Sequence, residues 1–133
     1  MGFLLDTNAW IVYLKSAQSP IRAHLEKLAP SDIFLCSVVK AELLHGAQKY
    51  GNRERRLAIL AETFAPYRSL PFDDAAAENY ASTRHDLEIA GNIIGPNDLM
   101  IAAIAQANHL TLVTHNTTEF DRIGSLKIED WQS

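Results

Sequence analysis

Three acidic residues stand where a carboxylate can act on phosphate chemistry. Asp6 ends the short apolar run Gly2 to Leu5, Glu42 lies within Val38, Val39, Ala41, Leu43 and Leu44, and Asp98 directly precedes the apolar stretch Leu99 to Ile104. Each also has an ordinary structural reading. An Asp after a buried strand caps the following turn, a Glu beside Lys40 and His45 can be solvated surface, and an acid in a helix's first turn complements the helix dipole. The conjunction is more informative than its members. Carboxylates from three separate segments, brought to one edge of a fold, repel each other unless a hard, oxygen-seeking cation neutralises them, and magnesium or manganese is the expected occupant.

The elements that must position these acids alternate. Gly2 to Leu5 reads as a buried strand, and Trp10, Ile11, Tyr13 and Leu14 follow at helical spacing. Pro20 suits the first turn of a short helix carrying Ile21, Leu25 and Leu28. Ile33 to Cys36 reads as a second strand, with Ser37 as N-cap of a helix from Val38 to Tyr50 that Gly51 stops. Asn52 can cap a further helix through Phe64, with Arg53, Arg55 and Arg56 in its first turns. Tyr67 to Leu70 fits a third strand, and Asp73 or Asp74 starts an Ala-rich helix running to about Ala90, before Gly91. Gly95, Pro96 and Asn97 form a turn and cap, which puts Asp98 in the first turn of a helix to about Asn108. Leu110 to Thr114 and Lys127 to Glu129 supply the last two strands. Strands alternating with helices predict a three-layer α/β domain with a mainly parallel sheet. In such sheets ligands bind beyond the carboxyl ends of the strands, near the point where strand order reverses, and Asp6 is placed there by the first strand.

Composition narrows the function classes. A chain of 133 residues has the usual size of one domain, 1–133, and buries roughly two-thirds of its unfolded surface. Apolar residues at 47% and charged residues at 21% describe an ordinary globular chain rather than a disordered one. The longest apolar runs fall far short of the roughly 20 residues of a membrane-spanning helix, and the N-terminus lacks a basic region and a cleavage site. Gly2 begins like a myristoylation site, but Asp rather than Ser or Thr stands at position 6. A cytoplasmic protein is expected. Cys36 has no second cysteine to pair with and reads as a buried small hydrophobe. Twelve basic against sixteen acidic residues, a net charge of −4, argue against broad electrostatic coating of nucleic acid, though not against a local cation that attracts phosphate.

Four segments, in this order and spacing, resemble the PIN domains, and within them the VapC-type toxins of bacterial toxin–antitoxin pairs. They are Leu4-Leu5-Asp6-Thr7-Asn8, then Ser37-Val38-Val39-Lys40-Ala41-Glu42-Leu43 with Gly46, then Asn97-Asp98-Leu99-Met100-Ile101-Ala102-Ala103, and finally Leu112-Val113-Thr114-His115-Asn116-Thr117-Thr118-Glu119-Phe120. The resemblance covers essentially the whole chain and implies a PIN-like α/β/α fold and a metal-dependent endoribonuclease. It makes Asp6, Glu42 and Asp98 the metal-binding and catalytic acids. It has Thr7 and Asn8 orient Asp6, and Thr114 support the site through its hydroxyl. Many members carry a fourth acid where this chain has Asn116, and Glu119 or Asp121 in the following segment are the candidate substitutes. The resemblance further implies Mg2+ or Mn2+, an RNA substrate, a VapB-type antitoxin and a homodimer, with the Trp10 to Leu14 helix part of the dimer surface. The Asn116-Thr117-Thr118-Glu119-Phe120 form of the last motif is similar to the branch that cuts the anticodon region of initiator tRNA.

Rival readings fit less well. A haloacid-dehalogenase-type phosphatase needs a second Asp two residues after the first, where this chain has Asn8. A receiver-like phospho-signalling domain needs paired acids after the first strand, an Asp after the third and a Lys after a later one; Leu5-Asp6, Pro71-Phe72 and Thr114-His115-Asn116 stand there instead. An RNA-processing PIN nuclease outside a toxin–antitoxin pair remains the alternative.

Overall fold

The computed structural model describes residues 1–132. Its centre is a sheet of five strands, β1 (Phe3–Leu5), β2 (Ile33–Cys36), β3 (Arg68–Leu70), β4 (Thr111–Val113) and β5 (Ile128–Glu129), in the order β3-β2-β1-β4-β5. Every neighbouring pair is parallel, with Leu4 of β1 opposite Phe34 on one side and Leu112 on the other. Parallel pairing requires a crossover after each strand. Seven helices supply the crossovers and flank the sheet as outer layers: α1 (Thr7–Lys15), α2 (Pro20–Glu26), α3 (Ser37–Gln48), α4 (Arg53–Phe64), α5 (Asp74–Ala90), α6 (Pro96–Ala107) and α7 (Thr117–Phe120).

The chain builds outward from β1 through β2 to β3, then returns to the other side of β1 for β4 and β5. Strand order therefore reverses between β1 and β4, the position where open α/β sheets form their clefts. The central strands are apolar on both faces: Phe3, Leu4 and Leu5 are all buried, as are Thr111, Leu112 and Val113. Helix α6 is the most deeply packed, with Leu99 and Ile101 through Ala105 buried, and this fixes the direction in which its first turn points.

Local chemistry explains the boundaries of α5 and α6. The Asp73 carboxylate accepts from the Ala76 amide at 3.0 Å, so Asp73 is the cap and Asp74 the first helical residue. Gly91 closes α5 in the left-handed region at φ 72°, where a side chain would be strained. Pro96 occupies the first turn of α6, where its missing N–H costs nothing.

Several expectations are corrected. Ser37 is the first residue of α3 rather than its cap; Cys36 takes the cap position, and the Ser37 hydroxyl turns towards the Leu70 carbonyl of β3 at 3.5 Å. Asn52 precedes α4 in the left-handed conformation, φ 62°, and makes no capping hydrogen bond with its side chain. A one-turn helix, α7, forms over Thr117–Phe120, where sequence periodicity is too short to register. Trp10 is fully buried against the rings of Tyr13 and Tyr67, with centroids at 5.4 and 5.5 Å, so it belongs to the core and not to a subunit surface.

Candidate active site

Asp6 follows β1 at the strand-order switch, and its backbone N–H donates to the Val113 carbonyl at 3.0 Å, tying it to the end of β4. Its side chain does what the ordinary reading proposed: Oδ1 accepts from the Ala9 amide at 2.9 Å and caps α1. Yet the residue is only 4% exposed. Burial raises its pKa above the usual carboxylate range, the Thr114 hydroxyl and the Ala9 amide pull it back, Glu42 raises it, and His115 lowers it. A helix cap would be cheaper to keep at the surface, so burial beside a second acid needs another reason.

Glu42 reaches the same region from the middle of α3. Oε1 accepts from the Thr7 hydroxyl at 2.6 Å, and Oε2 accepts from the Asn97 side-chain amide at 3.4 Å. Thr7 therefore orients Glu42 and not Asp6, which corrects the expected pairing. Asn8 is exposed and makes no hydrogen bond to Asp6 among the described residues. Asn97 was foreseen only as part of a turn. Its side signal was adjacency to Asp98 in the same motif, but its partner lies 55 residues away and no local pattern could name it.

Asp98 sits half-buried in the first turn of α6, and its carboxyl is pushed up to about 6 by burial first, then by Asp6, Glu42 and Glu119. Four carboxylates from four segments thus act on one another. The fourth corner is organised by Asn116, whose backbone N–H donates to Thr114 Oγ1 at 3.0 Å and whose side-chain amide donates to Glu119 Oε2 at 2.9 Å. Asn116 thus holds the Glu119 carboxylate, whose charge raises Asp98. Asp121 is exposed at the end of α7, and its charge is not among those that raise Asp98.

Among the described residues no ion pair offsets this charge. Among the described residues the two ion pairs are Arg84 with Glu88 and His115 with Asp130, and neither includes any of the four acids. Nor are three or more acid, His or Cys side chains gathered there into a set that would hold an ion by itself. An open, all-oxygen arrangement without a cationic partner suits magnesium, which keeps several waters and takes one or two carboxylates together with substrate phosphate. On that chemistry the residues fit a hard divalent cation.

A cleft of about 460 Å³ is lined by residues of α1, α3 and α4, with Glu42, Ile11, Leu14, Leu43 and Leu60 among them. Lys15, Lys49 and Arg56 line the same cleft, which thus combines one acid and three basic side chains with apolar ones.

Comparison with known proteins agrees with the geometry. The PIN domain family model matches residues 3–126. The chain is 37% identical over 131 residues, covering 98% of each, to the tRNA(fMet)-specific endonuclease VapC of Shigella flexneri.

The chain belongs to the PIN-domain family, in its VapC branch.

VapC membership extends to three dimensions. The VapBC2 structure from Rickettsia felis, bound to a promoter DNA fragment, matches with a TM-score of 0.92 at 35% identity, over 98% of this chain and 99% of that one. The DNA-bound VapBC structure from Salmonella typhimurium gives 0.92 at 36% identity, over 98% of both chains. As a VapC-type PIN protein the chain is an endoribonuclease of the α/β/α fold. Among the described residues no helix is long and apolar enough to cross a membrane.

Proposed function

We propose that the chain is a divalent-metal-dependent endoribonuclease toxin, folded as one PIN domain, in which Asp6, Glu42 and Asp98 hold Mg2+ or Mn2+ and Glu119 completes the acidic set. The observation that carries this reading is the placing of Asp98, a half-buried carboxyl raised to about 6 by burial first and then by the charges of Asp6, Glu42 and Glu119, none of which is in an ion pair among the described residues.

A bound cation would supply an activated water and stabilise charge on the phosphate oxygens. The residues of the chain hold the geometry. Asp6 is held by the Ala9 amide, which donates to Oδ1, and by the Thr114 hydroxyl. Glu42 is clamped from both sides by Thr7 and Asn97. Asp98 and Glu119 reach in from the first turns of α6 and α7. Water attack in line with the departing 3′ oxygen leaves a 5′-phosphate and a 3′-hydroxyl, and no side-chain nucleophile is required.

The preferred substrate is the anticodon region of a tRNA, by analogy with the relatives named for initiator tRNA. A VapB-type antitoxin is the proposed inhibitor. The cleft suits a C-terminal segment of such a partner, with apolar side chains along its walls and a basic or aromatic residue presented to the acids. A homodimer is part of the reading, and exposed Ile89 and Ile93 offer apolar surface for it. The proposed compartment is the cytoplasm.

The test is cleavage of tRNA and ribosomal RNA by purified protein with magnesium, manganese or chelator, alongside Asp6→Asn and Asp98→Asn. Cleavage with either metal and its loss in chelator and in both folded variants is expected. Equal cleavage by the variants overturns the mechanism.

A further inference from the structure

His115 is the residue next to the site that the acidic mechanism leaves unused. It follows Thr114, whose hydroxyl serves Asp6 and the Asn116 amide, so the carboxyl end of β4 delivers His115 to the same sheet edge as the acids. Its ring is not adrift there. Nδ1 lies 2.9 Å from Asp130 Oδ2, just beyond the end of β5, and Asp130 is itself oriented by the Gln132 amide, which donates to Oδ1 at 2.9 Å. A carboxylate that accepts from Nδ1–H selects the tautomer with the lone pair on Nε2. The ring is 63% exposed. An imidazole of defined tautomer, with an acceptor presented to solvent beside a phosphodiester-cleaving centre, matches a ribose hydroxyl, the group that separates RNA from DNA.

We propose that His115, held by Asp130, accepts a hydrogen bond through Nε2 from a ribose 2′-hydroxyl of the strand bound at the acidic site, making it a specificity-determining residue for RNA. This rests on the ribonuclease reading above. Surface histidine–carboxylate pairs are common and of little energetic consequence. This one differs in placement, since it ties His115, at the end of the strand that borders the strand-order switch, to the end of the edge strand β5.

The test is a cycle between protein and substrate. Cleavage of a short all-ribose RNA is mapped, and kcat/KM is then measured for the same RNA carrying single 2′-deoxy replacements at the nucleotides flanking the cut, with wild type, His115→Ala, His115→Gln and Asp130→Ala. A neutral hydrogen bond predicts a loss of roughly three- to tenfold for wild type at one flanking nucleotide. His115→Ala should show the same loss on all-ribose RNA and no further loss on that deoxy substrate. His115→Gln, which retains an acceptor, should recover part of it, and Asp130→Ala should fall between wild type and His115→Ala. Because the ring is exposed, melting temperatures should stay within a degree or two of wild type for the His115 variants. Independent, additive losses, or no loss at any flanking nucleotide, overturn the inference while leaving the nuclease intact. Failure of wild type to cut all-ribose RNA overturns the ribonuclease reading, and this inference with it.

Discussion

The Thr7 hydroxyl donates to Glu42 Oε1 at 2.6 Å, joining the first turn of α1 to the middle of α3 across 35 residues of sequence. The bond turns Glu42 away from the role of a solvated helix residue, because a carboxylate fixed by a short hydrogen bond cannot swing freely into water. Under the proposed role of Glu42 in holding the metal, removing the group that orients it costs roughly 10- to 100-fold in activity or metal affinity. Thr7→Val should fall in that range, chiefly in kcat and in the metal concentration needed for half-maximal rate. Thr7→Ser, which keeps the hydroxyl, should recover most of the loss. A Thr7→Val enzyme with wild-type metal dependence would show the bond to be incidental.

Added magnesium should raise the melting temperature. The acids come from separate segments that meet only when the chain is folded, so a cation held by them as proposed would stabilise the native state by about 2.7 kcal/mol at a concentration 100 times its dissociation constant. Asp6→Asn and Asp98→Asn should blunt the shift. Calorimetry with and without millimolar metal makes the comparison, and no shift at all would argue against a preformed site.

Without metal, Asp98 should be a liability at neutral pH. Its folded-state pKa is raised to about 6 against a usual 3.8, so between those values the native state binds more protons than the unfolded one. Its effect on stability is therefore most unfavourable above pH 6 and fades as pH falls through 6 towards 4. In chelator, Asp98→Asn should melt above wild type at pH 7.5, and the difference should close in acid. The difference between the two proteins isolates this residue from the other titrating groups.

Cys36 should resist alkylation. It is fully buried at the end of β2, and burial pushes its thiol up to about 11, so the reactive thiolate is scarce as well as shielded. At pH 8, iodoacetamide labelling should proceed only as fast as the chain opens, and it should become rapid in denaturant. Fast labelling of native protein would mean that the β2 edge breathes.

The strand-helix alternation and most element ends were legible because they are set by neighbours. Asp73, Gly91 and Pro96 mark the ends of α5 and the start of α6 through contacts or backbone preferences that span a few residues. The same rules misplaced Ser37 and overvalued Asn52. A capping residue is recognised by type, but whether its side chain bonds the helix depends on what else is within reach, and Leu70 was within reach of Ser37. Trp10 sat at a helical spacing consistent with either core or interface, and only the packing of Tyr67 from the other end of the β2–β3 crossover decided for the core.

The sequence by itself determined where Asp6, Glu42 and Asp98 would lie, because a strand end, an amphipathic helix and a helix first turn are local facts. What only the tertiary structure decided is which side chain holds which acid. Thr7 and Asn97 hold Glu42, Thr114 serves Asp6, and Asn116 holds Glu119. The physical reason is that the Thr7 and Asn97 bonds close loops of 35 and 55 residues, so they exist only once the β3-β2-β1-β4-β5 order has set each strand's carboxyl end beside its neighbours.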